Sequence, residues 1–268
     1  LSGVDYSKRQ RACQAFFIFF SFFLILLHFP TDYAIVSRMS MALLSHKISV
    51  PAEAIKVFAL LAMTLDHFSK IFGVGQILDD TIGRTAFPIF GFLLIQNLHQ
   101  YHPARKYIVR LAVFGVFTSL ILHLYTDQVN NILLTFLWAV IFIQAAEFLD
   151  ARLTSLVWKG YWLLLLMLLM MSGIIATDYS FPGFCLLITL YGWFSRPSRL
   201  NTLNVLIFGA LCNFYAVLPV LITVLTLLTL MYIIRVDRGS RVIKWWGFYL
   251  YYPLHQVALY ILKYFCPL

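Results

Sequence analysis

Ten apolar runs separated by short polar intervals organise this chain: 14 to 29, 54 to 74, 82 to 98, 107 to 125, 131 to 148, 156 to 177, 182 to 195, 203 to 217, 218 to 234 and 246 to 265. Most are about 16 to 22 residues long, the length with which an α-helix crosses a hydrocarbon core, and none shows the strict alternation of a barrel strand. The pattern predicts an all-α, polytopic integral membrane bundle of about nine or ten helices. Residues 203–234 are too long for one crossing, and Asn213 with Pro219 marks the break, so this stretch is read as a tight helical hairpin. Two regions are expected: an N-terminal apolar segment and interfacial region over 1–51, and a transmembrane domain over 52–268.

Composition agrees: 62% of residues are hydrophobic and 12% charged, against roughly 25% charged in soluble domains. The net charge of +9 carries no nucleic-acid signal, because Lys and Arg fall between apolar runs, where membrane topology uses them. Arg105, Lys106, Arg110, Arg152, Lys159, Arg196, Arg199, Arg235, Arg238, Arg241 and Lys244 lie on one side, against Lys70, Arg84 and Lys263 on the other. The first group is expected to face the cytoplasm. A full crossing by the first run then strands Lys8, Arg9 and Arg11 outside, unless that run does not span singly or Tyr33 to Ile48 returns across the interface. No small-x-small site follows this run, so it is read as mature chain rather than as a signal peptide. Cys13, Cys185, Cys212 and Cys266 lie in or beside apolar runs without CxxC spacing and read as packing residues.

Ionisable residues inside spanning helices cost a few kcal/mol and point to function. The second run holds Lys56, Asp66, His67 and Lys70. Lys56 and His67, eleven positions apart, return to one helix face about 16 Å apart along the axis. That stripe suits a long ligand with an anionic head and a reactive tip: ammonium for phosphate, imidazole at the reacting centre. The bland alternative has Lys56 snorkelling to the interface and Asp66 pairing with Lys70 at i,i+4. In Gly83-Arg84-Thr85-Ala86-Phe87-Pro88, glycine permits close backbone approach and proline is expected to free a carbonyl. Arg84 then either holds an anion near His67 or pairs with Asp79 or Asp80. Tyr252-Pro253-Leu254-His255 predicts a proline-broken turn beside a second intramembrane histidine, with the histidine either functional or satisfied by a carbonyl. Asn130 and Asn131 open the fifth run, either as oxyanion donors or as helix caps. Arg110, with Arg105 and Lys106, forms a basic step that attracts nucleotide phosphates or lipid headgroups alike. His99 and His102 lack a third ligand, so no metal site is expected. The patterns GxSxG, HExxH, Walker A and the Rossmann glycines do not occur. A transporter reading finds no matching pair of interrupted helices in two halves.

Taken together, Ile55-Lys56-Val57 through Asp66-His67, Gly83-Arg84 with Phe87-Pro88-Ile89-Phe90, Lys106-Tyr107 through Arg110-Leu111, and Tyr252-Pro253-Leu254-His255 resemble the TraX-type pilin N-acetyltransferase family over residues 52–265. Lys56-x10-His67 is also similar to the basic-x10-His signature of the acyltransferase-3 superfamily. The resemblance implies a multi-pass protein of the bacterial inner membrane that acetylates the N-terminal amine of a pilin subunit, with acetyl-CoA as donor substrate and no metal. It implies partners in pilin and membrane lipids and none in nucleic acid. His67 is expected as the base with Asp66 beside it, Lys56 and Arg110 as donor-phosphate contacts, and Arg84, Asn131, Tyr252 and His255 as orienting groups. Relatives tied to type IV pilus loci make a non-enzymatic pilin accessory protein the alternative.

Overall fold

The computed structural model describes residues 47–73, 81–125, 131–175, 177–237 and 244–265. The first apolar run with Lys8, Arg9, Arg11 and Cys13, the part of the Tyr33 to Ile48 stretch up to His46, Asn130, Arg238, Arg241, Cys266, and the Asp79 and Asp80 partners considered for Arg84 lie outside the described residues.

Helices form where the apolar runs predict them: α1 (Ala52–Phe72), α2 (Ala86–Tyr101), α3 (Ala104–Tyr125), α4 (Ile132–Arg152), α5 (Leu156–Ile175), α6 (Ser180–Ser195), α7 (Arg199–Leu211), α8 (Val217–Leu228) and α9 (Trp245–Phe265). A 3-10 turn, Gly83–Thr85, leads into α2, and a π turn, Thr229–Ile233, ends α8. The result is an all-α membrane bundle. Among the described residues three helices, α3 to α5, are individually long and apolar enough to cross a bilayer. Large apolar side chains stay exposed in continuous stripes, as Val109, Val113, Val116, Leu120 and Leu124 do along one face of α3. In water such a stripe is an association site; in lipid it is the solvated face.

The hairpin break occurs where expected, at 212–216, and Asn213 crosses it by donating to Thr223 Oγ1 at 2.7 Å. Two proline expectations need correction. Pro88 stands third in α2, within the first turn, where a backbone N–H has no intrahelical partner, so it starts the helix rather than interrupting it. Pro253 lies inside α9, which runs on as one helix instead of breaking into a turn. A third difference is a short parallel strand pair, β1 (Ile48–Pro51) with β2 (Ile234–Asp237), in register Ile48 to Ile234. Four residues with one proline carry too little period-2 pattern to separate a strand from an interfacial coil. Lys47 reinforces the pair by donating to the Met231 carbonyl at 2.6 Å.

Packing closes a ring. Helix α1 contacts α2 and α9, α2 contacts α6, α6 contacts α4, α4 contacts α3, and α3 returns to α9. Helix α5 leans on α4 and α6, while the α7–α8 hairpin covers α6 and α2. Lipid offers helices no hydrophobic drive to associate, so close van der Waals fit must hold them, which favours small residues at contacts. Gly209 shows this: a Cβ there would sit 2.4 Å from Leu227 Cδ1, so any larger residue would have to displace the buried Leu227 side chain.

Candidate functional site

Among the described residues, two cavities lie along the helix ring, one toward each end. The first, about 230 Å³, opens toward the basic end and is lined by Glu53, Lys56, Asn97, Tyr107, Arg110, Phe248 and Tyr249 among apolar neighbours. The second, about 860 Å³, lies toward the opposite end and is lined by Asp66, His67, Lys70, Arg84, Asp178, Tyr252, Gln256 and Lys263. Met63, Ile132 and Tyr252 border both, so the two chambers meet at these three side chains. The helical spacing of Lys56 and His67 thus places one residue in each chamber.

In the first chamber Lys56 pairs with Glu53 at 2.9 Å and lies 4.9 Å over the Phe248 ring. Arg110 bonds the Tyr249 hydroxyl. Lys56 and Arg110 thus place two cations in a largely apolar slot that also holds Glu53 and Asn97.

The second chamber is organised around two adjacent α1 residues. Asp66 is held by Lys70 at 2.6 Å, the i,i+4 pairing expected from the sequence, and by Arg84 at 3.6 Å, and His67 Nε2 stands 3.9 Å away. Gly83 makes this possible, because a Cβ there would meet Asp66 Cβ at 2.8 Å. Arg84 also stacks over Tyr215 at 5.2 Å, in the α7–α8 turn.

His67 Nδ1 lies 2.6 Å from His255 Nε2, and His255 Nδ1 lies 2.8 Å from the Tyr251 carbonyl. A carbonyl only accepts, so His255 carries its proton on Nδ1 and offers Nε2 as acceptor. His67 therefore donates through Nδ1 and keeps the lone pair of Nε2, the arrangement a general base needs. Thr64 Oγ1 and the Tyr251 hydroxyl, 2.7 Å apart, fix α1 to α9 beside this relay.

Of the remaining expected site residues, Tyr252 sits at the junction of the chambers. Asn131 lines neither. It caps α4 by accepting from Leu134 N and donates to the Gly115 carbonyl and Ser119 Oγ, so the capping alternative is the one realised.

Three polar residues were not singled out from the sequence. Gln256 is buried, with its amide nitrogen 3.4 Å and 3.5 Å from the two nitrogens of His67; a second polar residue directly after an intramembrane histidine was the available signal. Glu53 reads as a first-turn helix acid until its cavity position is known. Asp178, in the link between α5 and α6, reads as a loop residue, yet it faces the second chamber and its Oδ2 lies 3.4 Å from the Tyr252 hydroxyl. Burial pushes the Asp178 carboxyl up to about 6, against the opposing pull of Lys70 and the Tyr252 hydroxyl. Its backbone is held in place: Thr135 Oγ1 donates to the Asp178 carbonyl at 2.5 Å, and Tyr179 and Ser180 follow at φ 60° and 43°. Positive φ at two successive non-glycine residues costs on the order of 1–3 kcal/mol each and persists only where surrounding structure enforces it. The Tyr179 ring, stacked 3.9 Å from Phe87, supplies part of that enforcement.

The fold and site together define a lipid-facing helical bundle with a two-chambered interior, cations in one chamber and a hydrogen-bonded histidine pair in the other. The family model described as TraX protein matches residues 51–263, and the chain belongs to the TraX family. Comparison with curated proteins and with solved structures gave no match.

Proposed function

We propose that this protein transfers an acetyl group from acetyl-CoA to the N-terminal amine of a pilin subunit at a bacterial inner membrane. The observation that carries this reading is the meeting of the two chambers at Tyr252, with Lys56 and Arg110 on one side and the His67–His255 pair on the other. Family membership supplies the pilin, by the resemblance described above.

In this reading the basic end faces the cytoplasm and admits the donor. Lys56 and Arg110 hold its phosphates, and the arm passes Met63, Ile132 and Tyr252 to bring the thioester to the second chamber. The neutral acceptor amine attacks the thioester carbonyl, forming a C–N bond as the C–S bond breaks. His67 Nε2 takes the amine proton and returns it to the departing thiolate. His255 keeps His67 in the required tautomer, while Asp66, with its charge matched by Lys70 and Arg84, fixes the ring's surroundings.

Intact-mass measurement of a pilin co-expressed with wild type or with His67→Ala, at equal membrane levels, tests the proposal. The expected result is one acetyl group present with wild type and absent with the variant, since general-base catalysis contributes about 10²–10⁴-fold. Equal masses with pilus assembly still dependent on the protein would overturn acetylation of that pilin and favour a non-enzymatic accessory.

A further inference from the structure

The acyl-transfer reading leaves one problem open: what holds the acceptor. At neutral pH an α-amine approaches as an ammonium, and the second chamber presents mostly cations to it. Lys70, Arg84 and Lys263 all line this space, and each repels an incoming positive charge.

Two carboxylates line the same chamber. Asp66 already has its charge matched by Lys70 and Arg84. Asp178 does not: it forms no ion pair among the described residues, and its one side-chain hydrogen bond comes from Tyr252. It is withdrawn from the outer surface and faces the cavity. It is also the carboxylate whose position the fold enforces by unusual means, through the Thr135 bond to its carbonyl and the two left-handed residues that follow. A residue serving only as a loop solubiliser has no need of such anchoring.

We infer that Asp178 is the docking carboxylate for the acceptor's primary ammonium, with the Tyr252 hydroxyl beside it. This rests on the acyl-transfer reading and adds to it the group that recognises the acceptor. The Tyr252 hydroxyl donates to Asp178, and its oxygen is held in turn by the Ile132 backbone and the Gln256 side chain, which fixes the carboxylate's neighbour in place. Tyr252 also meets the His67 ring edge-on, with centroids 6.0 Å apart, so an ammonium on Asp178 lies within the chamber that holds the base. The docked ammonium releases one proton to solvent before the neutral amine attacks, and acetylation then leaves a product without positive charge. Asp178 then holds the substrate and not the product, and the surrounding cations no longer constrain an amide that carries no charge.

The test is equilibrium binding to the full chain in lipid nanodiscs, using a short apolar peptide with a free α-amine and its uncharged N-formyl twin. Wild type is expected to prefer the free amine by at least tenfold. Asp178→Asn, which leaves the backbone anchoring intact, is expected to erase that preference, and Asp178→Glu to retain part of it. A wild type that binds the amine no better than its twin, including one that binds neither, overturns the inference; so does a well-behaved Asp178→Asn that keeps the preference. Acetylation of the same peptide is followed in parallel. Amine preference lost in Asp178→Asn without any acetyl transfer by wild type leaves the docking site standing and removes the transferase reading. Acetyl transfer with an unchanged acceptor KM in Asp178→Asn does the reverse.

Discussion

At the scale of single residues, the site depends on hydrogen-bond direction more than on charge. His255 has no evident contact with reacting atoms, yet its acceptor nitrogen decides which nitrogen of His67 carries a proton. Replacing it with Phe keeps an aromatic ring and removes the relay. The expected outcome is a kcat lowered by about 10²-fold, the order that misplacement of a catalytic group produces, with donor KM unchanged and a shifted pH profile of kcat. Steady-state kinetics across pH checks this, and an unchanged profile would reduce His255 to a packing residue. Asp178 makes a separate, thermodynamic prediction. Its folded value of about 6 lies above its ordinary value of 3.8, so the folded state retains a proton that the unfolded state releases. Stability from this group is complete below about 4 and lost as pH rises through about 6. Wild type should therefore lose melting temperature over that window relative to Asp178→Asn, with Asp66, Lys70 and Tyr252 the neighbours that modulate the slope.

At the scale of elements, the approach of the 3-10 turn to α1 is what gathers Arg84 and Asp66. Gly83→Ala introduces a Cβ 2.8 Å from Asp66 Cβ, and neither backbone has a flexible tip that can yield. A loss of about 1–3 kcal/mol is expected, read as a lowered melting temperature in detergent, together with lost acetyl transfer in whatever protein remains folded. This element was legible in the sequence, because Gly-Arg before an apolar run already implied close approach. Helix positions were legible for the same reason: bilayer thickness fixes run length, and Asn213 with Pro219 supplied the remaining break. The strand pair β1–β2 was not, since its partners are four residues each and nearly two hundred positions apart. Asp178 was illegible for a related reason. An acid in a short link reads as solvated until the fold shows that Thr135 and Phe87 draw the link inward. Asn131 and Pro88 show the opposite limit: capping was one of the two roles the sequence offered Asn131 and is the one realised, whereas Pro88, expected to free a carbonyl, falls in the first turn and starts its helix.

At the scale of the whole molecule, the helix ring has two chemically unlike ends. The chamber with Lys56 and Arg110 shares its end with Arg199, and the chamber with His67 shares its end with Lys263. Single cysteines at Arg199 and at Lys263, in a background without the four native cysteines, should be labelled by an impermeant thiol reagent from opposite faces of the membrane, with Arg199 on the cytoplasmic face. Labelling of Lys263→Cys from the cytoplasm would invert the proposed donor and acceptor entrances. The exposed apolar stripes of α3 and α5 require that the protein be kept in lipid or detergent throughout such work.

The hydrogen bond between His67 and His255 joins residues 188 positions apart. During synthesis at about 5–20 residues per second, α1 waits roughly 10–40 s before its partner helix emerges. Throughout that interval the base lacks the neighbour that sets its tautomer, and the ring that walls off both chambers is still open. A nascent or truncated chain ending before α9 therefore has neither the histidine pair nor closed chambers, and in the function proposed above acetyl transfer is expected only once α9 has inserted.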